Sequence, residues 1–152
     1  MKKLFTLFII LAATATYAQS SEEEKSAKKL VDDFFVALHA QDTLALRNLA
    51  DPGIKLQSIF TNKEGETKLI TETYGKFLES LAKIPDTISF KEELHDYEIL
   101  VNGKMANVLT PYTLYVNEKI SHCGVNSFQL YKEDKDWKLI YLVDTRELTG
   151  CE

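Results

Sequence analysis

Apolar residues in the first half of the chain recur at helical spacing. From Ala27 to Leu38 they return every three or four positions, with charged residues on the opposite face, which is typical of an amphipathic helix. Asp42 is placed to cap a short second helix that Asp51 to Gly53 would terminate. A third stripe runs from Tyr74 to Ile84 and ends at Pro85. The pattern therefore predicts three helices.

Later in the chain the apolar positions alternate with polar ones, which indicates strands. A strand at Ile54 to Phe60 and a brief one at Lys68 to Ile70 precede the third helix. Four longer extended runs follow it: Thr87 to Val101, Met105 to Val116, Ile120 to Tyr131 and Trp137 to Arg146. Turn signals at Asn102-Gly103 and Asn117-Glu118 join three of them into a meander. Helices first and strands last predict an α+β fold, with the helices on one face of a mostly antiparallel sheet.

The N-terminus has the parts of a secretory signal. Lys2 and Lys3 precede the apolar stretch Leu4 to Ala13, and small residues lead to Ala18. This predicts a signal peptide over residues 1–18, cleavage after Ala18 and a periplasmic or secreted protein. Residues 19–152 then form a single domain. Because the apolar stretch is shorter than the roughly 20 residues of a spanning helix, membrane contact is expected only through the uncleaved signal.

Charge and composition exclude several function classes. The chain carries a formal net charge of -5 and has no basic block, so no nucleic-acid partner is predicted. It has no phosphate-binding glycine loop and no zinc-type cysteine pair, so no cofactor and no metal are predicted. His95 lies among acidic residues, where a solvated charge run is the favoured interpretation. His39 lies at the end of the first helix, where a cation interacts favourably with the helix dipole.

The two cysteines leave two alternatives open. In an oxidising compartment Cys123 and Cys151 can pair, which requires the C-terminal tail to fold back at Gly150. Free thiols are the other alternative, and the sequence favours it.

The order of elements resembles the nuclear transport factor 2-like superfamily. The resemblance covers nearly all of Glu22 to Glu147 and rests on the long first helix, the segment Asp42 to Leu46 and the closing strand Asp136 to Ile140. Ser121 to Phe128, together with Asp144 to Arg146, looks similar to exported members of uncharacterised function. The resemblance implies a curved sheet wrapped around about three helices, enclosing a cone-shaped pocket. Members include isomerases, cyclases, dehydratases, hydrolases and noncatalytic modules, so it implies no single activity.

Pairing the last two strands about the turn at Glu133 to Asp136 predicts a pocket face. That face carries His122, Gly124, Asn126, Phe128 and Leu130 beside Ile140, Leu142, Asp144 and Arg146. Apolar residues at one end and polar residues at the other are typical of a small-molecule site. The predicted ligand-binding residues are Tyr112, Asn126, Phe128, Leu142 and Arg146, although a strand tyrosine such as Tyr112 more often serves core packing.

His122 and Asp144 are the candidate catalytic residues. The same pairing puts His122 across from Arg146, Gly124 across from Asp144, and His122 diagonal to Asp144. A carboxylate beside an imidazole raises its pKa and fixes its tautomer, as a general base requires. The alternative, which the sequence favours, is a structural ion pair of Asp144 with Arg146 and a solvated His122 at the sheet edge.

Three functional hypotheses follow. The first is an exported noncatalytic domain that binds a small, partly apolar or anionic molecule, or a partner peptide. The second is an isomerase, dehydratase or hydrolase that uses His122 and Asp144. The third is a structural dimer whose cone is filled by its own side chains. A homodimer is suggested by an apolar opposite face comprising Cys123, Val125, Trp137, Leu139, Tyr141 and Val143.

Overall fold

The computed structural model describes residues 22–151, and the predicted signal peptide lies outside this range. Among the described residues there are three helices: α1 through residues 22–39, α2 at Thr43–Leu49 and α3 at Tyr74–Leu81. The strands are β1 (Ala50–Thr61), β2 (Thr67–Thr73), β3 (Phe90–Leu94), β4 (Glu98–Asn102), β5 (Met105–Val116), β6 (Lys119–Glu133) and β7 (Asp136–Arg146). None of the helices within 22–151 has the length and apolar composition that crossing a membrane requires.

The strands form one curved sheet in the order β2-β1-β7-β6-β5-β3, with β4 also paired to β5. Only the β1–β7 pair among these strands is parallel. This confirms the predicted α+β class with a mostly antiparallel sheet.

The apolar stripe of α1 packs into the concave face of this sheet. Phe34 and Phe35 meet the ring of Phe128 edge-on, with centroids 5.5 and 5.8 Å apart. Burying three aromatic side chains at one crossing removes several hundred square ångströms from water and anchors α1 on the central strands. The predicted capping of α2 is confirmed, because the Asp42 carboxylate accepts the amide N–H of Ala45 at 2.9 Å.

Two predicted boundaries are wrong. α2 ends at Leu49, and Asp51 to Gly53 do not form a terminating loop but belong to β1. The long run Thr87 to Val101 is divided into β3 and β4, which pair with different parts of the single strand β5. The break falls at residues 95–97, where Tyr97 turns its hydroxyl to Asp32 of α1 at 2.6 Å. This hydrogen bond joins the break between β3 and β4 to the first helix.

A bulge in β7 decides which residues face the cone. The two strands pair across the predicted turn, with Lys132 opposite Trp137, but the register shifts between Gln129 and Leu130, which leaves Ile140 as the extra residue. An extra residue reverses the facing of everything beyond it. Two placements were therefore wrong: Trp137 and Leu139 lie in the core rather than on the opposite face, and Ile140 does not contribute to the base of the pocket.

The C-terminal tail is held by a disulfide between Cys123 and Cys151, whose Cα atoms are 5.5 Å apart. Gly150 adopts a positive φ of 77°, which allows the predicted fold-back. The free-thiol alternative is therefore wrong. Val125, Tyr141 and Val143 remain half-buried on the opposite face of the sheet, and a homodimer through that face stays a prediction.

Candidate functional site

A cavity of about 770 Å³ lies between the concave face of the sheet, α1 and α3. Its volume is within the range of small-molecule sites. The apolar part of its lining includes Phe34, Phe35, Leu38, Leu56, Phe77 and Leu142. The cavity is open, so the hypothesis of a cone filled by its own side chains is wrong.

Asp144 is the centre of the polar end of this cavity. β7 lies between β1 and β6, so Asp144 is directly opposite both Ser58 and Asn126. Its carboxylate accepts hydrogen bonds from the Ser58 hydroxyl at 2.5 Å and from Arg146 Nε at 2.7 Å. Arg146 Nη2 also donates to the Ser58 hydroxyl at 2.8 Å. Burial acts to lower the pKa of Arg146, but the bond and charge of Asp144 outweigh it and raise that pKa.

Tyr112 reaches this group across a glycine. Tyr112 pairs with Gly124 on the neighbouring strand, and its side chain extends across that position. Its hydroxyl donates to the carbonyl oxygen of Thr145 at 3.0 Å and to the carboxylate of Asp144 at 3.3 Å. A Cβ at Gly124 would lie 1.9 Å from the same carbonyl oxygen. Burial, followed by the charge of Asp144, raises the pKa of Tyr112, which keeps the phenol protonated.

Glu92 is the second acidic group of the cavity. It lies on β3, is half-buried and lines the cavity. Its Oε1 accepts a hydrogen bond from the Asn126 side-chain amide at 2.6 Å. Burial is the main cause that raises the pKa of Glu92 to about 7, and the negative charge of Asp144 adds to the rise. The hydrogen bond from Asn126 and the positive charge of Arg146 act in the opposite direction. Glu92 is therefore divided between its neutral and ionised forms near neutral pH.

His39 is neutral rather than cationic. Its Nε2 accepts the backbone N–H of Glu92 at 2.9 Å, a role that only an unprotonated ring nitrogen can fill. Burial, with a contribution from the charge of Lys91, lowers its pKa. The interpretation of His39 as a cation at the helix terminus is thus wrong, because this residue instead positions β3 against α1.

The predicted His122 and Asp144 pair does not form. Asp144 pairs with Asn126 and not with Gly124, and no hydrogen bond joins it to His122 within residues 22–151. The ring of His122 instead packs edge-on against Tyr112, with centroids 5.8 Å apart. Its pKa is lowered, first by burial and then by Arg146, and Asp144 only partly opposes this. The expected rise in the pKa of His122 is therefore wrong, whereas the alternative ion pair of Asp144 with Arg146 is present.

Four of the five predicted ligand-binding residues line the cavity: Tyr112, Asn126, Leu142 and Arg146. Phe128 does not, because it is fully buried beneath the rings of α1. Whether any of these residues binds a ligand stays a prediction. Among residues 22–151 no cluster of three or more His, Cys, Asp or Glu side chains is placed to hold a metal ion.

Sequence reasoning missed Glu92, which it assigned to a solvated charge run around His95. The usable signal was the alternation within β3, where Phe90, Glu92 and Leu94 are the less exposed positions and Lys91 and Glu93 the exposed ones. A carboxylate between two apolar residues on one strand face points toward the core. The second error was to treat the segment as a single unbroken run.

Comparisons with known proteins show the fold. No family model matches the chain, and no curated protein sequence matches it. A protein of unknown function from Mycobacterium tuberculosis has a TM-score of 0.69 at 13% identity, over 88% of this chain and 77% of that chain. A proposed dehydratase of the nuclear transport factor 2-like family from Streptomyces avermitilis has a TM-score of 0.64 at 16% identity, over 85% of this chain and 99% of that chain.

A third similar structure is the β subunit of a proposed aromatic-ring-hydroxylating dioxygenase from Novosphingobium aromaticivorans. Its TM-score is 0.69 at 10% identity, and the match covers 87% of this chain and 94% of that chain. The chain therefore has the nuclear transport factor 2-like fold, as the resemblance implied. Because proteins with different activities share this fold, the cavity residues have to carry any functional argument.

Proposed function

We propose that this domain is exported and binds one small, largely apolar molecule inside its cone. The observation that carries the proposal is the open cavity of about 770 Å³. It combines an apolar wall with a polar group centred on Asp144 and with further polar residues of β2 and α3, among them Glu72 and Lys76. An apolar lining supplies affinity through burial, and a few convergent polar groups supply orientation. The disulfide between Cys123 and Cys151 supports the export part of the proposal, because such bonds persist in oxidising compartments.

A specific observation favours a second candidate, an acid–base enzyme. Glu92 has a pKa of about 7 within the cavity, and proton transfer is most efficient from a group whose pKa lies near the working pH. In this candidate Glu92 is the catalytic acid or base in place of His122 and Asp144. Asp144 already accepts hydrogen bonds from Ser58, Tyr112 and Arg146.

Native mass spectrometry of the chain recovered from the periplasm of an expressing bacterium tests both parts of the proposal. We expect the mass of a chain that begins at Gln19, plus an additional mass that is lost on denaturation. The matched variants are Leu142→Arg, which puts a charge into the apolar wall, and Leu100→Arg, at an exposed leucine of β4 that does not line the cavity. The first should lose the additional mass and the second should retain it.

Each alternative has its own result. A chain that retains residues 1–18 would contradict export. A bare wild-type protein that also fails to take up the neutral apolar dye Nile red would contradict ligand binding. Recovery of the bound compound in a chemically altered form, with no such change in Glu92→Gln, would favour the enzyme over the noncatalytic binder.

A further inference from the structure

The half-buried carboxyl of Glu92 has one oxygen that accepts a hydrogen bond from the protein and one that does not. Oε1 accepts the Asn126 amide, while Oε2 has no hydrogen-bond partner among residues 22–151. In the described part of the chain, Trp137 Nε1 is the only fully buried side-chain nitrogen or oxygen without a hydrogen-bond partner. Oε2 is therefore not fully buried. Oε2 therefore retains open space beside it, and that space is the cavity that Glu92 lines.

The surroundings favour the neutral form of this carboxyl. The neighbouring cation, Arg146, already forms an ion pair with Asp144 at 2.7 Å, so the two charges nearly cancel. His39 faces Glu92 as a neutral ring that accepts its backbone N–H, and burial lowers the pKa of His122 on β6. The hydroxyl of Tyr112 on β5 donates hydrogen bonds to Thr145 and Asp144 and not to Glu92. Glu72 and Lys76 line the same cavity from β2 and α3, but both are exposed. No cation within residues 22–151 forms an ion pair with Glu92, and a carboxylate removed from water without such a partner is costly.

A neutral carboxyl whose Oε1 accepts a bond carries its proton on Oε2, and that O–H points into the cavity. Its partner in a ligand is a hydrogen-bond acceptor. A ligand carboxylate would be buried next to Asp144 with Arg146 already neutralised, so an anionic head is disfavoured. A ligand ammonium would need Glu92 in its ionised form. An uncharged carbonyl oxygen satisfies the donor without burying a new charge.

We propose that the Glu92 carboxyl donates a hydrogen bond from Oε2 to the carbonyl oxygen of an uncharged, otherwise apolar ligand. This rests on the proposed binding function and specifies the head group of its ligand. The apolar body of such a molecule would lie along Phe34, Phe35, Phe77 and Leu142. Ionisation of Glu92 would remove the donor and weaken binding.

The experiment uses three probes of matching length: nonan-2-one, nonylammonium and nonanoate. Each is titrated into the mature protein at pH 6 and pH 8, and binding is followed by the NMR shifts of the Asn126 side-chain amide and the Leu142 methyl groups. With a Glu92 pKa of about 7, the ketone should bind about tenfold more weakly at pH 8 than at pH 6, because the competent fraction falls by that factor.

Two variants isolate Glu92 from the other charged or titratable side chains beside it and along the cavity, which are His39, His122, Asp144, Arg146, Glu72 and Lys76. Glu92→Gln retains a donor at this position, so it should bind the ketone with equal affinity at both pH values. Glu93→Gln is the matched control, because Glu93 is exposed on the other face of β3 and pairs with Lys91. It should keep the tenfold dependence of the wild type.

The contrary results are distinct. Tighter binding of nonylammonium that strengthens at pH 8 would overturn the inference, since Glu92 would then act as an anion. Preference for nonanoate would overturn it in favour of Arg146 as the head-group ligand. Ketone binding without pH dependence would overturn the inference and leave the proposed function standing. Absence of shifts with all three probes up to their solubility limits would count against both.

Discussion

At the scale of single residues, the cavity contains two carboxyl groups that differ in their hydrogen-bond partners. Asp144 accepts bonds from Ser58, Tyr112 and Arg146, which satisfy its charge. Glu92 accepts one amide bond and has its pKa raised to about 7. Because the two residues differ in their partners and not in their chemistry, one is a structural anion and the other is available to a ligand or a proton.

The raised pKa of Glu92 predicts how stability depends on pH. The unfolded chain loses this proton near pH 4.5, whereas the folded chain keeps it until about pH 7. Between these values the folded state binds more protons, so the free energy of unfolding decreases as the pH rises and then levels off. Glu92→Gln should therefore be more stable than wild type at pH 8, by on the order of 3 kcal/mol, and equal to it near pH 4.5.

Urea denaturation at the two pH values measures this difference. Glu93→Gln serves as the control: Glu93 is exposed and its bond to Lys91 lowers its pKa, so its replacement should give no gain at pH 8. An equal stability of Glu92→Gln and wild type at pH 8 would mean that Glu92 is ionised without cost and has an ordinary pKa.

At the scale of elements, the polar end of the cavity depends on how closely β6 approaches β7. Gly124 of β6 lies where the two strands come close together. An added Cβ at this position would be 1.9 Å from the carbonyl oxygen and 2.7 Å from the carbonyl carbon of Thr145. Real Cβ contacts are longer than this, so any side chain would have to separate the strands. The same separation would displace the acceptor of the Tyr112 hydroxyl.

We expect Gly124→Ala to lower the free energy of unfolding by at least about 2 kcal/mol. The matched control is Gly75→Ala in α3, where an added Cβ meets nothing within 4 Å and alanine is the better helix former, so stability should rise by less than about 1 kcal/mol. Urea denaturation followed by circular dichroism distinguishes the two. A Gly124→Ala protein as stable as wild type would show that β6 and β7 can separate freely here.

At the scale of the whole molecule, a covalent link closes the fold after its last strand. The pairing of Cys123 with Glu147 extends β7 beyond Arg146, and the disulfide then joins Cys151 to β6. The tail between them includes Leu148, which contributes to the lining at the mouth of the cavity. Holding this tail also holds the end of β7 that carries Asp144 and Arg146.

The double variant Cys123→Ser with Cys151→Ser should unfold with a free energy about 3 kcal/mol lower than the oxidised wild type, because a bridge across 28 positions restricts the unfolded chain. Urea denaturation with and without a reducing agent measures this. Reduction should bring the wild type to the stability of the double variant and leave the variant unchanged. Equal midpoints for oxidised wild type and variant would contradict a stabilising role.

Local patterning was sufficient for the element types and for most of their bounds. Helical spacing around Phe34, strand alternation in β5 to β7 and the Asp42 cap depend on contacts a few residues apart, which is why the sequence alone determined the α+β class. It also determined that Asn126, Leu142 and Arg146 share a face with the cavity. The pairing of Cys123 with Cys151 stayed open, because it depends on where a tail lies in space.

Only the tertiary structure decided the chemistry of the site. The bulge at Ile140 placed Asp144 opposite Asn126 and away from His122, and a one-residue insertion of this kind has no distinctive sequence pattern. Glu92 became a cavity acid because β3 and β4 separate at His95 and because α1 and β6 enclose it. Protonation at such a position depends on burial and on charges from distant parts of the chain, so no local pattern in the sequence could have determined it.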